Sequence, residues 1–162
     1  MKFSISATSR EMRANETDGK DYFFLTKEEF EEKIRKNELI EWELIYGNYY
    51  GTLKREVDSA LASGQSMVFD IDVNGALSIK KHYPGESLLI FIEPPSMEEL
   101  IHRLKNRQTE DQESLRKRIE RVPMEMERRT MFDERVINDE LEKAISDVDA
   151  IVLKHIGEEQ IA

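Results

Sequence analysis

At 162 residues, the chain has the length of one domain and is long enough to bury a core. Its 39% hydrophobic and 36% charged residues are the balance of a soluble globular protein, and a formal net charge of -10 opposes nucleic acid and anionic membrane as partners through long-range repulsion. The absence of cysteine rules out disulfides, thiolate nucleophiles and cysteine metal sites. No apolar run approaches membrane-spanning length. Met1 to Ala7 carries no signal-peptide architecture, so a cytoplasmic location is expected.

In chain order, Phe3-Ser-Ile-Ser6 alternates and predicts a short strand. Residues 7–20 are polar, with a turn signal at Asp18-Gly19. Tyr22 to Leu25 predicts a strand. Thr26-Lys-Glu-Glu29 has the form of a capping box. It opens a helix to about Asn37, with Phe30 and Ile34 facing inward. Leu39 to Tyr46 predicts a strand and Asn48 to Thr52 a turn or strand edge. Leu53 to Ser63 predicts a helix closed by Gly64. Met67 to Asp72 is a buried strand with an acidic end, and Val73 to Tyr83 a helix stopped by Pro84-Gly85. Leu88 to Ile92 is continuously apolar, as in a sheet covered on both faces. Ser96-Met-Glu-Glu99 has the form of a second capping box, ahead of a helix bearing Leu100 and Leu104. Residues 105–131 are densely charged and partly helical, with Pro123 as a break. Glu134 to Ile137 predicts a strand, and Asp139 to about Ala150 or beyond a final helix. From Ser66 onward strands and helices alternate, the pattern of a parallel sheet with crossovers. The stretch from Tyr22 to Tyr46 lacks crossovers and predicts a small mixed insertion.

Several residue types suit a nucleoside monophosphate. Arg10 and Arg13 lie in a polar segment just after a strand, and planar guanidinium forks match phosphate oxygens in two-point fashion. Tyr22 and Tyr50 add phenolic donors. Glu41 and Asp72 offer acceptors to a purine edge, with the hydroxyls of Thr52 and Ser6 beside them. The alternatives are plain ones: solvated loop arginines, core tyrosines, an exposed strand-end Glu41, and Asp72 as a helix N-cap. No glycine loop of the form Gly-x-x-x-x-Gly-Lys-Ser/Thr occurs in these residues. His82, His102 and His155 are isolated and form no ligand pair.

Taken together, Ser6-Ala-Thr-Ser-Arg10, Asp18-Gly-Lys-Asp-Tyr22-Phe-Phe, Ile40-Glu-Trp42, Gly47-Asn-Tyr-Tyr-Gly-Thr52, Phe69-Asp-Ile-Asp72-Val-Asn-Gly75, Ile92-Glu-Pro-Pro-Ser96 and Val136-Ile-Asn-Asp139 resemble the guanylate kinase family. They cover nearly the whole chain in order. The resemblance implies an α/β fold with a P-loop kinase-like parallel sheet and flanking helices, a small mixed α/β GMP-binding insertion and a helical lid. The family's first strand, Walker A loop and first helix are missing, so the chain resembles a guanylate kinase that starts late. One domain over 1–162 is expected, with a GMP-binding subdomain at about 7–55, a core at 66–104 and 132–162, and the lid and adjacent helix at 105–131.

The implied activity is ATP-dependent phosphorylation of GMP to GDP, with this chain keeping mainly the GMP side. The alternative is a catalytically inactive guanylate kinase-like binding module or GMP-binding fragment. By resemblance, Arg10, Arg13, Tyr22 and Tyr50 hold the GMP phosphate, while Glu41, Asp72, Thr52 and Ser6 address guanine. Arg103, Arg107 and Arg118 neutralise charge on the transferring phosphoryl group. A helix face laced with ion pairs is the plain alternative for these three, and Gln108 stands where the family usually has glycine. Asp70 is the magnesium-side residue, with Mg2+ accompanying ATP as cosubstrate. GMP and ATP are the expected partners, with no nucleic acid and no membrane. The family's missing strand lies between residues 67–71 and 88–92. An empty slot there exposes backbone donors and acceptors, so low stability, repacking or self-association through the unpaired sheet edges is expected.

Overall fold

The structure, a computed structural model, describes residues 1–45, 47–106 and 112–159. The chain divides into two compact units, Met1–Pro84 and Gly85–Ala162.

The first unit opens with β1 (Lys2–Phe3), which pairs in parallel with β6 (Met67–Val68). Ser4 continues the ladder, its N–H reaching the Val68 carbonyl at 2.8 Å. The chain then changes sheets: β2 (Ala7–Thr8) joins a mixed four-stranded sheet ordered β3-β2-β5-β4, with β3 (Phe23–Phe24), β4 (Leu39–Ile45) and β5 (Asn48–Leu53). The single strand expected over 3–6 is therefore two short strands serving different sheets. The acidic end of the strand expected over 67–72 lies outside β6, in the chain leading to a helix.

The stretch 48–52, expected as a turn or strand edge, is an interior strand. β2 and β4 flank it, and its glycine permits the approach of β4. Gly51 pairs opposite Trp42, and a Cβ placed there would stand 2.5 Å from the Glu41 carbonyl oxygen and 2.9 Å from the Trp42 Cβ. Only a hydrogen side chain allows β4 and β5 so close.

Helix α1 (Lys27–Arg35) starts with the expected capping box. The Glu29 N–H donates to the Thr26 hydroxyl at 3.1 Å, and the Thr26 N–H to the Glu29 carboxylate at 2.7 Å. α1 buries Phe30 completely against Ala7, Leu39 and Leu53, with Ile34 and Tyr49 packed around them. Tyr49 stacks on Phe30 at 5.1 Å. A second core joins Ile40, Val57 and Ile79 from β4, α2 (Lys54–Ala62) and α3 (Val73–His82). α2 ends as expected at Gly64, φ 67°. The Gly64 N–H bonds the Leu61 carbonyl and the Gln65 N–H the Ala60 carbonyl, both at 2.9 Å, a Schellman closure.

In the second unit, β7 (Ile90–Glu93) pairs in parallel with β8 (Glu134–Ile137). Leu89, Phe91, Val122, Val136 and Ala144 are buried. Ahead of α4 (Met97–Asn106) the Ser96 hydroxyl accepts the Glu99 N–H at 3.1 Å, but the Glu99 carboxylate reaches forward to Arg103 instead of back. α5 (Gln112–Arg128) runs through Pro123 without the expected break. Val122 is buried while the neighbouring proline is exposed, so packing holds the helix and water reaches the carbonyl that proline leaves unpaired. α6 (Leu141–Glu159) is longer than its expected minimum.

Two substitutions test the first unit, with the chain's one tryptophan as fluorescent reporter. Phe30→Ala should lower urea stability by about 3–5 kcal/mol, and Gly51→Ala by about 1–3 kcal/mol through overpacking. Gly51→Ala with an unchanged midpoint would contradict the close approach of β4 and β5.

Candidate functional site

Strand alternation builds the site. Glu41 is registered opposite Thr52, and Glu43 opposite Tyr50. Side chains paired across an antiparallel ladder share a face, so Glu41, Glu43, Tyr50 and Thr52 lie on one side of the sheet. Phe30 and Tyr49 pack on the other side. The usual burial pattern of β4 is inverted: Trp42 is 47% and Leu44 52% exposed, while Glu41 and Glu43 are half-buried. Trp42 and Leu44 share the Tyr49 face, the Trp42 ring 5.8 Å from that of Tyr49, yet stay more open to solvent than the two carboxylates on the opposite face, which favours polar chemistry over burial there.

At one end of this face the Thr52 hydroxyl donates to Glu41 Oε1 at 2.6 Å. The N-terminus of α3 lies alongside. Asp72 is its N-cap, accepting the Gly75 N–H at 2.7 Å. A Cβ at Gly75 would meet Asp72 Oδ1 at 3.2 Å and Glu41 Oε2 at 3.4 Å, so the two carboxylates flank the same glycine. Burial, and after it the charge of Asp72, raise the pKa of Glu41 above the ordinary carboxylate value, against the lowering effect of the Thr52 hydrogen bond. Glu41 and Asp72 line a cavity of about 300 Å3, shared with Asn37, Asn74, Ser78 and His82.

At the other end, Arg10 follows β2 and lies over the rings of Tyr22 (5.5 Å) and Phe24 (5.7 Å). Tyr50 is its neighbour and adds to the raising of its pKa, and the Tyr50 ring is 6.1 Å from that of Tyr22. Arg13 is exposed, and its backbone N–H donates to Glu16 at 2.8 Å. Ser6, Tyr22 and Asp70 line a second cavity of about 130 Å3 with Ser4 and Asp21. The two cavities share no lining residue. β5 joins the two ends: Tyr50 meets Arg10, and Thr52, two residues on along the same face, meets Glu41.

The three arginines assigned to phosphoryl chemistry belong to the second unit. Arg103 donates from Nε to Glu99 at 2.7 Å, from Nη1 to the Asn138 carbonyl at 2.7 Å and from Nη2 to the Asp139 carbonyl at 3.4 Å. It thereby ties α4 to the end of β8. Arg118 is exposed on α5. Arg107 and Gln108 lie outside the described residues. Among the described residues, no group of three or more His, Cys, Asp or Glu is arranged to hold a metal ion. No helix there is long and apolar enough to cross a membrane.

Sequence reasoning missed Glu16, which grips Arg10 with both carboxylate oxygens. The three-residue steps Arg10, Arg13, Glu16 were the signal available.

Comparison with known proteins gives a consistent result. The family profile described as Guanylate kinase matches residues 1–155. The chain is 47% identical over 157 residues to the guanylate kinase of Chlorobium chlorochromatii, covering 97% of this chain and 83% of that protein. It is 47% identical over 148 residues to that of Chlorobaculum tepidum, covering 91% and 76% respectively. Among solved structures, the guanylate kinase of Anaplasma phagocytophilum superposes with a TM-score of 0.74 at 29% identity, over 94% of this chain and 74% of that one. A β4–β5 face with a guanidinium end and a carboxylate end, in a chain matched along nearly its whole length, belongs to the guanylate kinase family.

Proposed function

We propose that this chain acts in the phosphorylation of GMP by ATP to give ADP and GDP, and that Met1–Pro84 supplies the GMP side. The observation that carries this is β5, which presents Tyr50 to Arg10 and Thr52 to Glu41 from one face. Guanine offers N1–H and an exocyclic amine as adjacent donors. Glu41 and Asp72 accept from them, while Thr52 and Ser6 address the remaining base edge. Adenine carries a lone pair at N1 and would set acceptor against acceptor, which leaves buried polar groups unpaired. Arg10, Arg13, Tyr22 and Tyr50 hold the monophosphate as donors, with the guanidiniums opposing its charge.

The nucleophile in this reaction is an oxygen of the GMP phosphate, so no general base is needed. That oxygen forms a bond to the γ-phosphorus of ATP while the bond to the β–γ bridging oxygen breaks and ADP leaves. Positioning and charge neutralisation supply the acceleration. Arg103, Arg107 and Arg118 are proposed for the phosphoryl side. Arg103 can serve there with the guanidinium donors it does not give to Glu99, Asn138 and Asp139. Asp70, exposed and beside the oxygen-bearing Ser4, Ser6 and Asp21, fits a hard cation that takes few carboxylates and keeps its waters. Magnesium entering with ATP would be held from Asp70 and would neutralise phosphate charge. A further proposal concerns β6, which has one strand partner, β1, among the described residues. Phe3 (62% exposed) and Val68 (41%) suit pairing of that edge with a second copy of the chain.

Calorimetry with GMP, AMP and ATP-Mg2+, followed by a coupled assay of ADP formation, tests the reading. GMP should bind about 100-fold more tightly than AMP, the factor for roughly 3 kcal/mol. Equal affinities would remove the assignment of Glu41 and Asp72. Capture of a peptide by a chain that ignores GMP would favour the binding-module alternative.

Glu41→Gln should separate recognition from stability. The amide loses the second donor–acceptor match to guanine, costing GMP about 2 kcal/mol or ~30-fold in affinity. Stability at neutral pH should hold or rise. A carboxyl with a raised native pKa binds its proton more tightly folded than unfolded. Its contribution to stability is present at acid pH and fades as pH rises through the native value, so ionised Glu41 is a cost at neutrality. GMP needs the ionised form, so its affinity should fall on acidification while pH is still above the ordinary Glu value of 4.5. A titration with no inflection there, or one unchanged in Glu41→Gln, would contradict the assignment.

Light scattering across a concentration series tests self-association. Dimers that dissociate on Val68→Lys are expected, and a monomer at every concentration would refute the proposal.

A further inference from the structure

Arg10 is not a loose surface cation. Its side chain is 16% exposed, and that of its partner Glu16 is 12% exposed. Nη1 donates to Glu16 Oε2 at 3.0 Å and Nη2 to Glu16 Oε1 at 2.7 Å, a two-point fork on the outer edge of the guanidinium. The second Nη1 hydrogen goes to the Glu11 carbonyl at 2.6 Å. The rings of Tyr22 and Phe24 cover the guanidinium plane. Of the five donors, this leaves Nε–H and one Nη2–H, on the adjacent edge, for Tyr50 and an incoming oxyanion.

Glu16 is itself held. Its Oε2 accepts the Arg13 N–H at 2.8 Å, and its own N–H reaches the Arg13 carbonyl at 3.0 Å. One side chain therefore closes the turn that carries Arg13 and fixes the orientation of Arg10. The segment between β2 and β3 has no helix or continuous ladder to do this.

We propose that Glu16 is a positioning residue for the phosphate clamp: it occupies the outer edge of Arg10, aims the other edge at the phosphate and sets the Arg13 turn beside it. This rests on the GMP site proposed above. A carboxylate beside a dianion subtracts attraction, and on charge alone its removal would tighten binding. The geometry opposes this. An unanchored arginine must give up its rotamer freedom on binding, whereas a forked and stacked one has already done so. Anchoring also keeps the backbone turn at Arg13 formed before the ligand arrives.

The test compares GMP with guanosine on the full chain by calorimetry, because the ratio of their affinities isolates the phosphate. In Glu16→Gln, which keeps an acceptor for the Arg13 N–H, GMP should weaken about tenfold, or ~1.4 kcal/mol, while guanosine stays within about twofold. In an Arg10→Ala background, Glu16→Gln should change the ratio far less. GMP affinity that is unchanged or improved in Glu16→Gln overturns the proposal, as does an equal loss for GMP and guanosine, which marks a merely structural residue. A wild-type chain that binds guanosine as tightly as GMP overturns the underlying site reading instead, so the two failures are distinct.

Discussion

The close approach of β4 and β5 at Gly51 is the constraint from which the site follows. A hydrogen in place of a methyl group lets the ladder close over Glu41 and Trp42. Closure sets the register, and the register places Thr52 against Glu41 and Tyr50 against Glu43. The same pleat sends Tyr49 and Leu53 to the opposite face, where they cover Phe30. Core and site are thus two sides of one ladder. Displacing it by one residue would exchange their contents.

The two ends of the face handle charge in opposite ways. At the carboxylate end, Glu41 is half-buried near Asp72, and burial disfavours its ionised form. Under the proposed GMP reading that cost serves selectivity, since a ligand lacking guanine's donors cannot relieve it. At the guanidinium end, Arg10 is already neutralised by Glu16 and stacked on aromatics. The chain's net charge of -10 opposes any anion at a distance. Over a Debye length of about 8–10 Å this repulsion is screened, so on the proposed reading the local arginines and phenols govern binding.

The second unit shows how one side chain acquires a structural task. Arg103 reaches two backbone carbonyls at the end of β8 and the Glu99 carboxylate on its own helix. A planar fork suits such bridging better than an ammonium. The family resemblance assigns this residue to phosphoryl chemistry, and the described geometry adds a brace between α4 and the chain leading to α6. A guanidinium with five donors has room for both tasks, in sequence or in part.

Local signals sufficed for much of the chain. Thr26 and Glu29 announced α1, Gly64 closed α2, Asp72 capped α3, and the apolar run before Glu93 became β7. Each depends on chemistry within a few residues. The candidate site residues were also legible, because their types and spacings resemble a known family. Other features needed partners distant in sequence. The 3–6 strand split because Ser4 bonds Val68 while Ala7 and Thr8 pair with β3 and β5. The apparent turn at 48–52 became an interior strand because β2 and β4 flank it. Pro123 stayed helical because its neighbour Val122 is buried. Residue types and short-range caps determined which groups are present and where helices begin. Tertiary structure decided which face each group shares and which carboxylate meets which arginine, because hydrogen bonds and burial between distant segments outweigh the small preferences of any local stretch.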